Sequence, residues 1–470
     1  MKKEKISIRI IISLIFISLF LIRYNASACS TFKLQKGDSL IYAHYLNEPG
    51  TEVPGMVFIN KRGIFKTGRT WGEIISKEKL NPSSLCWISK YGSVTFNLYG
   101  RDLPDGGMNE AGLYIWEMSE KADYPKNDKL PKLSQMSWMQ YILDNCSTLE
   151  EAISAAREIE IDGWDWHYFV ADCHGNTAAI EFINNKVVVY QGEDMPMPGL
   201  FNTRYDRELE LVKYYKGFGG QYEPDINDPF VPNFVKTATM IRDYKPTQNA
   251  VDYGFEMLRH LNNKADWNVI FDVRKQKVFF NTHLNPEIKS FSLNEIDFSN
   301  TSPVLILNMN IKAGGNILNQ FHPYSEENMK NFIELSLLPT FPAEVFTVGG
   351  LSLNEFSERL STLCEAAATS EKQYFKGTWK NKPEKAQNEM QVIIKFNTNH
   401  DAVYGQLTIP ELQEEAFQID NLSLIGNNLK FTCKSKYLFI EAIASIDGNK
   451  MNVNLYGIEN NYGSYTLTRE

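Results

Sequence analysis

A turn at Lys36-Gly37-Asp38 joins two strand-like runs, residues 29–34 and 40–46, and this makes the start of the folded chain one arm of a β-hairpin. The text before the hairpin does not belong to the fold. Lys2, Lys3, Lys5 and Arg9 form a positive n-region, and residues 10–22 are apolar apart from Ser13 and Ser18. Ala26-Ser27-Ala28 then supplies a small-residue cleavage pattern. The apolar run is short for a membrane span, which takes about 20 residues. Residues 1–28 read as a signal peptide. Signal peptidase is the expected maturation partner, cutting between Ala28 and Cys29 and leaving Cys29 as the first residue of a sheet strand.

A terminal Cys29 carries a nucleophile and a base on one residue. An α-amine titrates near about 8 and a thiol near about 8.5, so proton transfer between them is almost balanced. While the Ala28–Cys29 bond is intact the nitrogen is an amide and takes no proton. A lipoprotein is the rival reading, in which Cys29 is acylated and the protein is held on the outer surface. That pathway prefers a large aliphatic residue three positions before the cysteine, where Ala26 stands. The expected location is periplasmic or secreted, with the lipid-anchored surface form as the alternative.

Removing the leader from 470 residues leaves 442, enough for two or three domains. The whole chain has a net charge of −9; the leader holds five basic residues and one acid, so residues 29–470 sum to −13. That balance argues against a nucleic-acid or anionic-membrane surface. Cysteines at 29, 86, 146, 173, 364 and 433 make no CxxC pair, and the seven histidines form no HExxH. No metal and no cofactor is expected. With Cys29 kept as a thiol an odd five remain, and buried thiols are the expectation for most of them; one or two disulfides stay open.

Strand-like runs continue at 56–60, 93–99 and 113–118, followed by helical periodicity at 133–145 and 149–158. Ser147-x-x-Glu150 has the form of a capping box for the second helix. Strands at 167–171, 177–182 and 186–190 come next, the first two joined around His174-Gly175-Asn176. Helices are expected at 204–214, 234–242 and 250–261, and a hairpin at 267–273 with 277–282. Hairpins alternating with helix pairs, rather than βαβ units, predict helices layered on antiparallel sheets. Pro339 and Pro342 interrupt the chain, and Ser352-x-x-Glu355 opens one more helix to about Ala368. From Tyr374 the text is almost wholly β, at 390–396, 402–409, 428–433, 437–445, 451–455 and 464–467, which favours a small antiparallel barrel or sandwich.

Several blocks resemble one family. Cys-Ser-Thr-Phe at 29–32, Ala43-His44-Tyr45-Leu46-Asn47-Glu48 and Asn60-Lys61-Arg62-Gly63 are similar to the choloylglycine hydrolase and penicillin V acylase group. So are Tyr91-Gly92-Ser93-Val94-Thr95-Phe96-Asn97, Gly107-Met108-Asn109-Glu110-Ala111-Gly112-Leu113 and Phe201-Asn202-Thr203-Arg204-Tyr205. The resemblance spans about residues 29–295. It implies an α+β fold, an αββα N-terminal nucleophile hydrolase sandwich, and cleavage of linear amide C–N bonds. Cys29 is then the nucleophile at the end of a central strand, its α-amine the base, and Asn202 the oxyanion donor. Asn109 is read as fixing a turn. Ser119 aligns with a substrate-side position usually Asn or Tyr, and Trp116, on the strand leading to it, is the tryptophan expected to line an acyl pocket.

The departures from the family pattern fall on charged residues. The family's G-R-N-L-D segment reads Ala43-His44-Tyr45-Leu46-Asn47, so His44 stands for the arginine that supports the sulfur and Asn47 for the aspartate that holds the amine. Asn47 can accept a hydrogen bond from that amine but brings no charge, and a bond to a charged group is about twice as strong as a neutral one. The later S-R-F-V-R appears as Pro232-Asn233-Phe234-Val235-Lys236, placing Asn233 at the arginine position and Lys236 one turn on. His44 is a titratable replacement. Phe375-Lys376-Gly377-Thr378-Trp379 resembles the G-x-W opening of lipocalin-like barrels. The expected organisation is a signal peptide 1–28, a hydrolase-like domain 29–340, a helical connector 341–372 and a lipocalin-like barrel 373–470. The expected partner is a small N-acyl amide, and a homo-oligomer is open because tetramers are common in the family. A ligand-binding homologue without catalysis is the alternative that the changes at 44, 47 and 233 motivate.

Overall fold

The computed structural model describes residues 29–47, 52–76, 78, 84–262, 264–340, 350–368, 374–383, 389–399, 402–435, 438–458 and 460–470. The opening hairpin forms: Ser30–Lys36 pairs with Ser39–Leu46, from Ser30 opposite Tyr45 to Lys36 opposite Ser39. Gly37 takes φ +60° in the turn, a conformation that glycine adopts without a Cβ penalty. Ser39–Leu46 pairs in turn with Trp267–Asp272, and Lys277–Thr282, Lys289–Ser292 and Gly315–Asn316 extend the sheet. The three-residue strand Gly199–Phe201 forms the opposite edge of this seven-stranded sheet.

A nine-stranded antiparallel sheet faces it. Its order is Lys186–Gln191, Thr177–Ile183, Trp166–Ala171, Tyr114–Ser119, Gly106–Asn109, Ser93–Asn97, Met56–Asn60, Leu305–Asn308 and His322–Pro323. The inner strands are covered on both faces, which is why Leu40–Leu46 is buried without alternation. Ring pairs close the space between the sheets: Tyr42 on Tyr114 at 5.0 Å, His44 on Trp116 at 4.1 Å, and Phe96 on Phe271 at 6.1 Å. Gly106 permits this closeness, because a Cβ there would lie 2.2 Å from the Trp116 ring.

Helices Asn233–Asp243 and Ala250–Leu261 cover the seven-stranded sheet, and Gln135–Asn145 and Leu149–Glu158 cover the nine-stranded one. The result is the αββα sandwich. The capping box of Leu149–Glu158 is Thr148 with Glu151, one residue beyond the expected Ser147 and Glu150. That start sets Leu149, Ala152, Ile153 and Ala156 on the buried face, while the Ser147 hydroxyl still donates to Glu151 at 3.0 Å. Ser352 and Glu355 form the expected reciprocal cap at the head of Leu353–Ala368.

The C-terminal meander is a closed eight-stranded antiparallel barrel, running from Gly377–Lys380 to Asn461–Arg469 and closed where Ala402–Thr408 meets Phe417–Ile425. Its strands alternate, as Phe439–Asp447 does, and the inward residues fill the interior. Trp379 is fully buried at the barrel opening, its indole N–H bonded to the Phe375 carbonyl at 2.7 Å.

A two-stranded extension joins barrel to sandwich. Phe65–Thr67 pairs with Cys86–Ile88, which pairs with Phe417–Ile425 through Ile88 opposite Leu424. Cys86 and Ile88 belong to the barrel core, whereas Trp87 between them packs in the sandwich. Strand periodicity thus sends one short segment into two cores. Cys29, Cys86, Cys146, Cys173 and Cys433 are thiols, and burial pushes the Cys433 thiol up to about 12.

Candidate active site

Strand register brings the expected catalytic positions together. Ser30 pairs with Phe201 on one side and with Tyr45 on the other. One residue outward on each strand lie Cys29, Asn202 and Leu46, and Asn47 follows Leu46. Cys29 is 2% exposed, while Asn202 and Asn47 are half-buried at the same sheet end. Asn233, the first residue of helix Asn233–Asp243, joins them by donating its Nδ2 to the Tyr45 hydroxyl at 3.1 Å. Burial pushes the Tyr45 phenol well above the usual tyrosine range, and the nearby Cys29 sulfur adds to the shift. Lys236 is buried one turn further along, and burial lowers its ammonium against the opposing pull of Asp228 and Asp225.

His44 and Trp116 sit deeper, between the sheets. The His44 Nδ1 lies 2.7 Å from the Thr31 hydroxyl, and the ring stacks on Trp116 with an interplanar angle of 19°. Burial holds the imidazole well below its ordinary range, so it is neutral and brings no positive charge. Thr31 also donates to Met118 Sδ at 3.2 Å, so strand Tyr114–Ser119 climbs toward the Cys29 end and Ser119 stands half-buried at its rim. Asn109 lies at the other end of that sheet, where its Oδ1 takes the Ala111 and Leu113 N–H groups and fixes the turn. A cleft of about 330 Å³ beside it is likewise remote from Cys29.

Two residues that the motifs did not single out tie the Cys29 end together. His167 and Glu181 meet side chain to side chain from neighbouring strands, buried at 1% and 2% exposure. The His167 Nε2 is 2.6 Å from the Phe201 carbonyl, and its Nδ1 is 3.0 Å from Glu181 Oε1. The same Glu181 oxygen accepts the Tyr205 N–H at 2.8 Å. A single histidine in one largely apolar strand and a single glutamate in the next were the available signal.

Glu208, on helix Tyr205–Val212, lies beside Thr203 and Glu120. Burial, with Glu120 adding and a hydrogen bond from Thr203 opposing, pushes its carboxyl up to about 7. A carboxyl whose folded value is raised favours the fold most when both folded and unfolded forms are protonated. That advantage disappears as pH rises from about 4.5 to about 7, a loss on the order of 3 kcal/mol. Glu208→Gln is expected to be more stable than the parent at pH 8 and equal to it at pH 4, read from urea midpoints. Equal midpoints at both pH values would remove this role.

Residues 90–225 match the family of linear amide C-N hydrolases, choloylglycine hydrolase family. Members of that family act on carbon–nitrogen bonds other than peptide bonds. The sequence is 26% identical to a penicillin V acylase from Pectobacterium atrosepticum, covering 46% of this chain and 70% of that protein. In three dimensions the chain is similar to penicillin V acylase from Agrobacterium tumefaciens. That likeness has a TM-score of 0.53 at 23% identity and covers 63% of this chain and 98% of the other. A conjugated bile acid hydrolase variant from Clostridium perfringens has a TM-score of 0.47 at 15% identity, covering 62% of this chain and 99% of its own. The Agrobacterium likeness is one of fold, and it fits the αββα sandwich described above.

Proposed function

We propose that this protein is an exported amidohydrolase that cleaves small N-acyl amides through a thioester on Cys29. The observation that carries the reading is the convergence, at one sheet end, of Cys29, which follows a leader-like sequence, with Asn202 and Asn47. After the Ala28–Cys29 bond is cut, the Cys29 sulfur attacks the amide carbonyl and its proton passes to the new α-amine. The tetrahedral oxyanion is held by the Asn202 side-chain N–H. Collapse breaks the C–N bond, the amine leaves with the proton, and a thioester remains. Water then attacks the thioester, the carboxylic acid departs and the thiol is restored. Asn47 accepts a hydrogen bond from the α-amine, and Asn233 steadies Tyr45 beside the sulfur. Ser119 faces the substrate at the rim, and Trp116 and His44 form the floor beneath it.

Removal of one oxyanion donor costs about 100- to 1,000-fold in kcat at related acyl-transfer sites. Asn202→Ala is expected to lower turnover of a responsive N-acyl amide by that amount with KM little changed. A rate near that of the parent would take Asn202 out of the oxyanion hole. A non-catalytic ligand-binding protein is the second reading, favoured by the neutral His44 and Asn47 where the family carries charge. Saturable binding of N-acyl amides without any turnover would favour it.

A further inference from the structure

We propose that His167 and Glu181 are positioning residues that fix the backbone on both sides of Asn202 and so aim its side chain at the reacting carbonyl. This rests on the reading of Asn202 as oxyanion donor. Asn202 follows Gly199–Phe201, a three-residue edge strand paired along one side with Ser30–Phe32. Such an edge has few hydrogen bonds of its own to define the orientation of the next residue. His167 reaches across the sandwich from the nine-stranded sheet and takes the Phe201 carbonyl, immediately before Asn202. Glu181 takes the Tyr205 N–H, the first residue of helix Tyr205–Val212.

That N–H is one of the donors a helix start leaves unsatisfied, and Arg204 at the cap position makes no side-chain bond to it. Its acceptor comes from another strand instead. The three residues 202–204 therefore span two points, each held from the nine-stranded sheet.

The atoms also fix how protons are shared. The Phe201 carbonyl only accepts, so Nε2 of His167 carries a hydrogen. One further proton lies between Nδ1 and Glu181 Oε1, which at the same time accepts from Tyr205. Glutamine at 181 cannot serve all three contacts with a neutral histidine. If its oxygen accepts from both Tyr205 and Nδ1, then Nε2 is bare toward Phe201. If its amide donates to Nδ1, the Tyr205 N–H loses its acceptor. Either way one side of Asn202 is released.

The test is a double-mutant cycle in the mature enzyme, using the N-acyl amide on which Asn202→Ala is measured. A misplacement near 1 Å at an active site costs on the order of 100-fold. Both His167→Leu and Glu181→Gln are expected to lower kcat by about 10- to 100-fold with KM within about threefold. Alkylation of Cys29 by iodoacetamide is expected to proceed at the parent rate in both. In an Asn202→Ala background His167→Leu is expected to change kcat by less than about twofold, because the group it aims is gone. Full multiplication of the two effects, or a raised KM with unchanged kcat, would overturn the proposal. A near-normal Asn202→Ala rate would instead overturn the oxyanion reading beneath it. If His167→Leu does not fold, the near-isosteric Glu181→Gln carries the cycle.

Discussion

Cys29→Ala is expected to reduce amide cleavage by about six orders of magnitude, the scale seen when a covalent nucleophile is deleted from a hydrolase. The side chain is small and buried at a strand start, so alanine fits the site and the fold remains. What disappears is the only atom that forms the acyl bond. Asn202, Asn47 and the α-amine stay in place but have no thioester to stabilise or discharge. Cys29→Ser is expected to lie between, because a hydroxyl loses its proton far less readily than a thiol. The measurement is turnover at saturating substrate, with a thermal melt to show that both variants are folded. A folded Cys29→Ala protein retaining a hundredth of the parent rate would require a different nucleophile.

The second large effect concerns the fold rather than the chemistry. Lys66→Met is expected to destabilise the protein by about 3–5 kcal/mol, the range for breaking a buried ion pair from one side. Lys66 is 4% exposed, with its ammonium 2.9 Å from both Asp102 and Asp144. Asp144 is fully buried and also accepts from Trp87 Nε1 at 2.7 Å and Gln140 Nε2 at 2.8 Å. Although burial lowers the Lys66 ammonium, the two carboxylates outweigh it and raise it above the usual lysine range. Burial raises Asp144, and without Lys66 it is raised further. The variant is therefore expected to recover part of its loss at acid pH, where Asp144 is protonated. Urea midpoints at pH 5 and pH 8 check both parts, and parent-like midpoints would contradict them. Lys66 lies on the two-stranded extension that joins the barrel sheet, so the same substitution is expected to loosen barrel from sandwich before either unfolds.

The hydrophobic periodicity made most of the sandwich legible. Strand Trp267–Asp272 with Lys277–Thr282, and helix Ala250–Leu261, follow runs long enough to show their period. The short strands were not legible. Phe65–Thr67 and Cys86–Ile88 have three residues each, and their membership in the barrel sheet depends on contacts more than 300 residues away. Phe417–Ile425 was hidden for another reason: its alternation fails at a bulge between Asp420 and Ser423, where Asn421 takes φ +48°. At the site, the leader-like run pointed to Cys29 and the motif blocks to Asn202 and Asn47, and strand register sets Cys29 beside Asn202. His167 and Glu181 escaped because no local spacing pairs residues 14 apart. Only the register of Trp166–Ala171 with Thr177–Ile183 sets them side by side.

Intact-mass spectrometry of the protein expressed with residues 1–28, before and after brief mixing with an N-acyl amide, tests the account most directly. The predicted result is a chain that starts at an unmodified Cys29 and then gains the mass of one acyl group, confined to the N-terminal peptide and absent from Cys29→Ala. A chain starting elsewhere, a Cys29 already carrying lipid, or turnover with acyl mass on another residue would contradict it.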